Sequence, residues 1–164
     1  MFDIREDDLS SEQTRALLAL HLSGMRDGSP PGHSFALDLS GLKQPGVAVW
    51  SAWRGDRIAG IGALKLLGDG GAEVKSMRTH PDFLRQGVGA ALLDHIIGVA
   101  CSLGVRRLSL ETGNGPAFEA ALALYRRRGF TSGPAFADYV ATDFNQFLHL
   151  SLVERQTTAS HHGH

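Results

Sequence analysis

EVKSMRTHPDFLRQGVGAALLDHIIGVACS, residues 73–102, reads as a strand, a glycine-rich turn and an amphipathic helix. The turn holds Gly87 and Gly89, two residues apart. Glycine has no Cβ, so a bulky group can approach the backbone there. The helix opens inside this turn. Its first N–H groups lack intrahelical partners and carry the positive end of the helix dipole. Residues 87–91 are therefore a candidate site for a phosphate or pyrophosphate. A turn used only for packing would look similar. A Walker loop is excluded, because no Gly-Lys-Ser/Thr ending follows. GVGAAL, from Gly87, approaches the dinucleotide fingerprint but carries Leu92 at its last position, and no acidic residue closes a second strand at the usual distance.

Downstream, Val88, Leu92, Leu93, Ile96, Ile97 and Ala100 mark one apolar helix face, and Gly104 fits the residue that ends it. VRRLSLET reads as a strand, and Pro116 suits a first helical turn. Phe118, Ala121, Leu122 and Tyr125 are the expected apolar face of the next helix, which ends at Arg126–Arg128 and Gly129. GFTSGPAFADYV and NQFLHLSL are expected as a last pair of strands. Strand, helix, strand, helix in this half implies a parallel pair with a crossover.

Upstream, Phe2–Arg5 is a candidate first strand. Ser10 and Gln13 have capping-box spacing before a helix expected at Ser11–Met25, with Ala16, Leu17, Leu20 and Met25 at roughly helical spacing. DGSPPG breaks the chain, and a short helix around Phe35–Leu42 is expected to end near Gly41. GVAVWSAWRG and RIAGIGALKLL form a hairpin around RGDR, with Val47, Val49, Ser51 and Trp53 on one face. DGG leads into the strand of the opening stretch. The fold class is α/β, or α+β in some schemes, with a mixed sheet that is mostly antiparallel.

The 164 residues suit one domain, expected at 1–153, with a polar tail at 154–164. The tail's histidines suit a frayed end better than a metal site. Hydrophobic residues make up 43% and charged ones 20%, which excludes a disordered chain. The net charge of −1 argues against a nucleic-acid partner, and no apolar run approaches the roughly 20 residues a membrane span needs. Cys101 is the sole cysteine, and the acidic start MFDIREDD lacks a signal-peptide pattern. Both point to a cytoplasmic protein.

MRTHPDFLRQGVGAALL, followed some way on by ALALYRRRGF, resembles the GNAT superfamily of acyl-CoA-dependent N-acetyltransferases. The first run is similar to its coenzyme motif Q/R-x-x-G-x-G/A, the second to its helix ending L-Y-x-x-x-G-F. SPP, WSAW, GALK, KSMRT, LSLETG and FADY are closer still to the bacterial YsnE-like and PaiA-like group. The resemblance implies a sheet flanked by helices, with a splayed parallel strand pair. It also implies acetyl-CoA as cosubstrate, a small-molecule primary amine as acceptor, direct transfer with no metal, and a homodimer as a common assembly.

Roles follow residue by residue from the resemblance. Backbone N–H groups of Arg85, Gln86, Gly87, Val88, Gly89 and Ala90 would hold the pyrophosphate. Thr79 would pair with pantetheine. The N–H of Met77 would face the thioester oxygen, with Arg78 between them also in the coenzyme-binding segment. Tyr125 would protonate the departing sulfur. Glu73 or Glu111 would serve as general base, since an ammonium must lose its proton to attack. His33 and His80 are weaker candidates for that role. Asp138, Tyr139, Trp53 and Arg78 could shape the acceptor pocket. Leu84 replaces the motif's usual Gln or Arg, and Ala120 replaces a frequent Asn. Arg126–Arg128 could reach a 3′-phosphate or form a solvated helix end. Cys101 reads as a packing residue. The rival class is a non-catalytic acyl-CoA sensor or partner protein.

Overall fold

The computed structural model describes residues 1–27 and 38–153. Its strands are β1 (Asp3–Glu6), β2 (Val47–Arg54), β3 (Arg57–Leu66), β4 (Gly71–Thr79), β5 (Arg107–Gly113), β6 (Thr131–Gly133) and β7 (Asn145–Ser151). Its helices are α1 (Glu12–Asp27), α2 (Leu39–Leu42), α3 (Val88–Ser102) and α4 (Glu119–Arg127). The seven strands make one sheet in the order β1-β2-β3-β4-β5-β7-β6. The β4–β5 pair is parallel; β1–β2, β2–β3, β5–β7 and β6–β7 are antiparallel. A parallel neighbour needs a crossover, and α3 supplies it. The chain divides into two compact units, Met1–Lys65 with Val74–Ile96, and Leu66–Glu73 with the described part of Ile97–His164.

In the first unit, one sheet face packs on α1 and α2. Leu9, Leu17, Leu18, Leu42, Val49, Trp53, Ile58, Ile61 and Ala63 form this core. Val47, Val49, Ser51 and Trp53 share the expected face, and Trp53 Nε1 donates to Ser51 Oγ at 2.7 Å. The α1 face is rotated from the expected one. Thr14, Leu17, Leu18 and His21 are buried, at i, i+3, i+4 and i+7, while Leu20 is exposed. The capping box also differs. Ser11 Oγ accepts the Thr14 N–H at 3.2 Å, and Ser10 Oγ donates to Asp8. Gln13 reaches the β2–β3 hairpin instead, donating to the Asp56 carbonyl and accepting the Ile58 N–H. A long-range partner outcompeted the local one. Of the expected short helix, Leu39–Leu42 forms; Phe35 and Leu37 lie outside the described residues.

The other side of β3 carries α3 at close range. A Cβ at Gly60 would sit 2.6 Å from Val88 Cγ1, and one at Gly62 would sit 2.6 Å from Met77 Sδ and 3.0 Å from Ile96 Cδ1. Two glycines thus admit the first turns of α3 to the strand surface. Val88, Leu92, Leu93, Ile96, Ile97 and Ala100 are all buried, as their spacing predicts. Each such large side chain contributes roughly 1.5–3 kcal/mol by leaving water. The helix ends in a Schellman motif: Val105 N–H donates to Ala100 O and Gly104 N–H to Cys101 O, with Gly104 at φ 78°.

In the second unit, β4 registers with β5 over three pairs, Gly71↔Arg107, Ala72↔Leu108 and Glu73↔Ser109. On its other side β5 registers with β7 from Arg107↔Ser151 to Gly113↔Asn145. Pro116 starts a 3-10 turn that leads into α4. Phe118, Leu122 and Tyr125 are buried as expected, but Ala121 is exposed. The last expected strand is shorter than its sequence suggests. β6 spans only Thr131–Gly133, and FADY lies in the loop before β7.

Candidate active site

The glycine-rich turn belongs to the first unit. Arg85 and Gly87 take left-handed φ values of 63° and 86°. Nothing lies within 4 Å of where a Gly87 Cβ would stand, so the turn leaves open space at its backbone. The first intrahelical bond of α3 runs from the Ala91 N–H to the Gly87 carbonyl, at 3.0 Å. That bond uses Ala91, so the helix itself leaves the N–H groups of Val88, Gly89 and Ala90 to other partners. The side chains of Leu84, Arg85 and Gln86 are exposed. Arg54 Nη1 donates to Gln86 Oε1 at 2.7 Å, which ties the turn to the end of β2. An anion would therefore meet main-chain donors first, and the chemistry of the donor set fits a pyrophosphate.

Just before the turn, β4 bends at Ser76, a non-glycine residue at φ 58°. Met77 packs toward β3 at Gly62, whereas the Arg78 guanidinium lies over Gly24 of α1. Thr79 is half-buried at the end of the strand. The His80 N–H donates to the Ala59 carbonyl at 2.8 Å, and His80 Nδ1 accepts the Asp82 N–H at 3.0 Å. His80 thus caps the 3-10 turn Pro81–Phe83, a structural task. Trp53 belongs to the core of the first unit. His33 lies outside the described residues.

The second unit gathers the carboxylates. Register places Glu73 beside Ser109 on neighbouring strands, and Glu111 lies two residues along β5 from Ser109. All three side chains therefore share one sheet face. Phe147 and His149 join them from β7. Glu73 is only 3% exposed despite its ionisable side chain. Its Oε2 accepts the Tyr139 hydroxyl at 2.5 Å. Burial, then the charge and hydrogen bond of Glu73, then the charge of Glu111, push the Tyr139 pKa far above its ordinary value. Tyr139 stays a neutral donor as a result.

Aromatic rings hold that phenol in place. The Tyr139 ring centroid lies 5.1 Å from Phe136 and 5.9 Å from Phe147. Ala137, at φ 49°, makes the turn, and the Tyr139 N–H donates to the Phe136 carbonyl. His149 Nε2 lies 2.8 Å from the Pro134 carbonyl, to which it donates, and Nδ1 shares a 2.7 Å hydrogen bond with Ser109 Oγ. The FADY run gave Tyr139 as a pocket residue. No local signal tied it to Glu73, 66 residues earlier in the chain.

Tyr125 lies on the buried face of α4, 7% exposed, with its ring edge-on to Phe130 at 5.7 Å. Burial raises its pKa, and its hydroxyl has no hydrogen-bond partner among the described residues. Ala120, Arg126 and Arg127 are exposed, as is Asp138. Cys101 is half-buried within α3.

Residues 14–130 match the model of the Acetyltransferase (GNAT) family. An uncharacterized N-acetyltransferase of Escherichia coli K12, YedL, is 49% identical over 94% of this chain and 97% of its own length. YsnE of Bacillus subtilis 168, also an uncharacterized N-acetyltransferase, is 47% identical over 83% and 90%. A solved structure from Klebsiella pneumoniae, named as a candidate acyl-CoA N-acyltransferase, superposes with a TM-score of 0.78 at 28% identity, covering 93% of this chain and 98% of that one. A glycine-rich turn at a helix mouth, a mixed sheet and matches over most of the chain lead to one assignment: this chain belongs to the GNAT acetyltransferase family and groups with YsnE.

Proposed function

We propose that this protein transfers an acetyl group from acetyl-CoA directly to the primary amine of a small molecule. The observation that carries this is the mouth of α3, where the first helical bond starts only at Ala91 and the left-handed Gly87 leaves its backbone open. Backbone donors of residues 85–90 hold the pyrophosphate, and Thr79 pairs with the pantetheine arm. The acceptor nitrogen attacks the thioester carbon, the carbon–sulfur bond breaks, and the Met77 N–H stabilises the developing oxyanion.

Glu73 takes the proton from the amine, directly or through water. Burial and the Tyr139 hydrogen bond fix its carboxylate, which favours Glu73 over the half-buried Glu111. Tyr125 assists the sulfur. A phenol whose pKa is raised holds its proton more tightly than a thiol, whose pKa is near ~8.5, so complete transfer in the ground state is uphill. Tyr125 therefore acts first as a hydrogen-bond donor to the departing thiolate. Positioning both reactants supplies much of the rate.

An amine panel that reads free thiol released from acetyl-CoA tests this function. At least one amine is expected to give turnover, and Tyr125→Phe to lower it on the order of 10²-fold. Acetyl-CoA binding seen by calorimetry, with no thiol released by any amine, would instead make the protein an acyl-CoA sensor.

A further inference from the structure

One buried polar cluster has no task in the transfer just described. Helix α1 contains a single glycine, Gly24, and the Arg78 guanidinium rests against it. A Cβ at Gly24 would stand 2.8 Å from Nη2 and 3.0 Å from Nη1 of Arg78. Among the described residues, Arg78 makes no ion pair or hydrogen bond through its side chain. His21 lies one helical turn before Gly24 and is 6% exposed. Among the described residues, its Nδ1 is sealed from solvent without a hydrogen-bond partner. Burial, and next the Arg78 charge, lower its pKa to about 4, so the ring is neutral at physiological pH. Ser76 Oγ, two residues before Arg78 on the bent part of β4, is likewise sealed and unpartnered among the described residues.

A half-buried guanidinium and an unpaired buried imidazole nitrogen are costly unless something completes them. The free fork of an arginine matches a planar, two-oxygen anion. With His21 neutral, the cluster offers one positive charge, which suits a monoanion better than a phosphate dianion. Arg78 directly follows Met77, the residue assigned above to the thioester oxygen. An anion held at this guanidinium would lie one residue along β4 from Met77 and on the α1 side of the strand, which suits a charge carried by the acceptor.

We propose that Arg78 and His21, seated on Gly24, bind a carboxylate of the acceptor, so that the substrate is a carboxylate-bearing primary amine such as an amino acid. This rests on the acetyltransferase reading for the acceptor's role, though not for the anion site itself.

The test uses matched pairs: glycine and glycinamide, β-alanine and its amide, and the remaining amino acids with theirs. In the wild type, at least one acid is expected to exceed its amide in kcat/KM by 10-fold or more. Arg78→Gln is expected to bring that ratio near one, and Gly24→Val, which displaces the guanidinium while keeping it, to do the same. Thermal melts show that each variant is folded. An amide equal to or better than its acid in every pair would overturn the proposal, as would an acid preference that survives Arg78→Gln. So would taurine or aminomethylphosphonate outperforming every amino acid. If no amine is turned over, the transferase reading fails, and the His21 ring signals in NMR then decide the site alone. A shift on adding acetate that disappears in Arg78→Gln upholds it, and no shift overturns it.

Discussion

The turn at residues 85–90 and the Glu73–Tyr139 pair are built from opposite materials. The turn offers main-chain N–H groups, and its side chains at Leu84, Arg85 and Gln86 are exposed. The pair works through side-chain atoms alone, a buried carboxylate and a phenol joined across 66 residues of sequence. Main-chain donors survive most substitutions, provided the φ angles survive. A carboxylate at 3% exposure survives none that remove its charge or its partner. The two regions should therefore respond to mutation in different ways.

The largest effect is expected at the pair. Glu73→Gln keeps the shape and removes the proposed base, and should lower kcat/KM by about 10²–10⁴-fold in the thiol-release assay, with acetyl-CoA affinity in calorimetry little changed. A comparable loss in Glu111→Gln, with Glu73→Gln active, would transfer the base to β5. Tyr139→Phe comes next. Removing a hydrogen bond to a charged group should cost about 2 kcal/mol in urea unfolding. It should also change the alkaline limb of stability. The folded pKa of Tyr139 is raised, so its contribution is fully present below the ordinary phenol value, near ~10, and fades as pH rises through the folded value. Tyr139→Phe should flatten that decline.

At the turn, Gly87→Val should cost roughly 1–2 kcal/mol, because a β-branched residue is forced to φ 86°, and should weaken acetyl-CoA binding. Neighbouring side chains should matter far less. Arg85→Asn, at an exposed left-handed position that asparagine tolerates, should change acetyl-CoA affinity only a few-fold, and less at high salt. A large loss there would show that a side-chain charge, and not the backbone, holds the phosphates.

The same division governs what could be read in advance. The turn, α3 and the Schellman ending at Gly104 are local patterns, set by spacing and by glycine. They were legible residue by residue, as was the hairpin of β2 and β3. The misreadings have a common cause. Gln13 had a local capping partner within reach and took Asp56 and Ile58 instead. The α1 face turned to bury Thr14 and His21 over Leu20, because β2 and β3 chose which side of the helix to cover. The FADY segment alternates like a strand but forms a loop, closed by a left-handed Ala137 and the Phe136–Tyr139 turn.

The amino-acid order alone determined the mixed α/β class, the glycine-rich turn at the helix mouth and the GNAT likeness, because each depends on residues within one turn or one strand–helix junction. Only the tertiary structure decided that Glu73 is buried and answers to Tyr139, and that Arg78 lies over Gly24 beside an unpaired His21. Those pairings join segments tens of residues apart, and burial, which sets their electrostatics, exists only once the chain has folded around them.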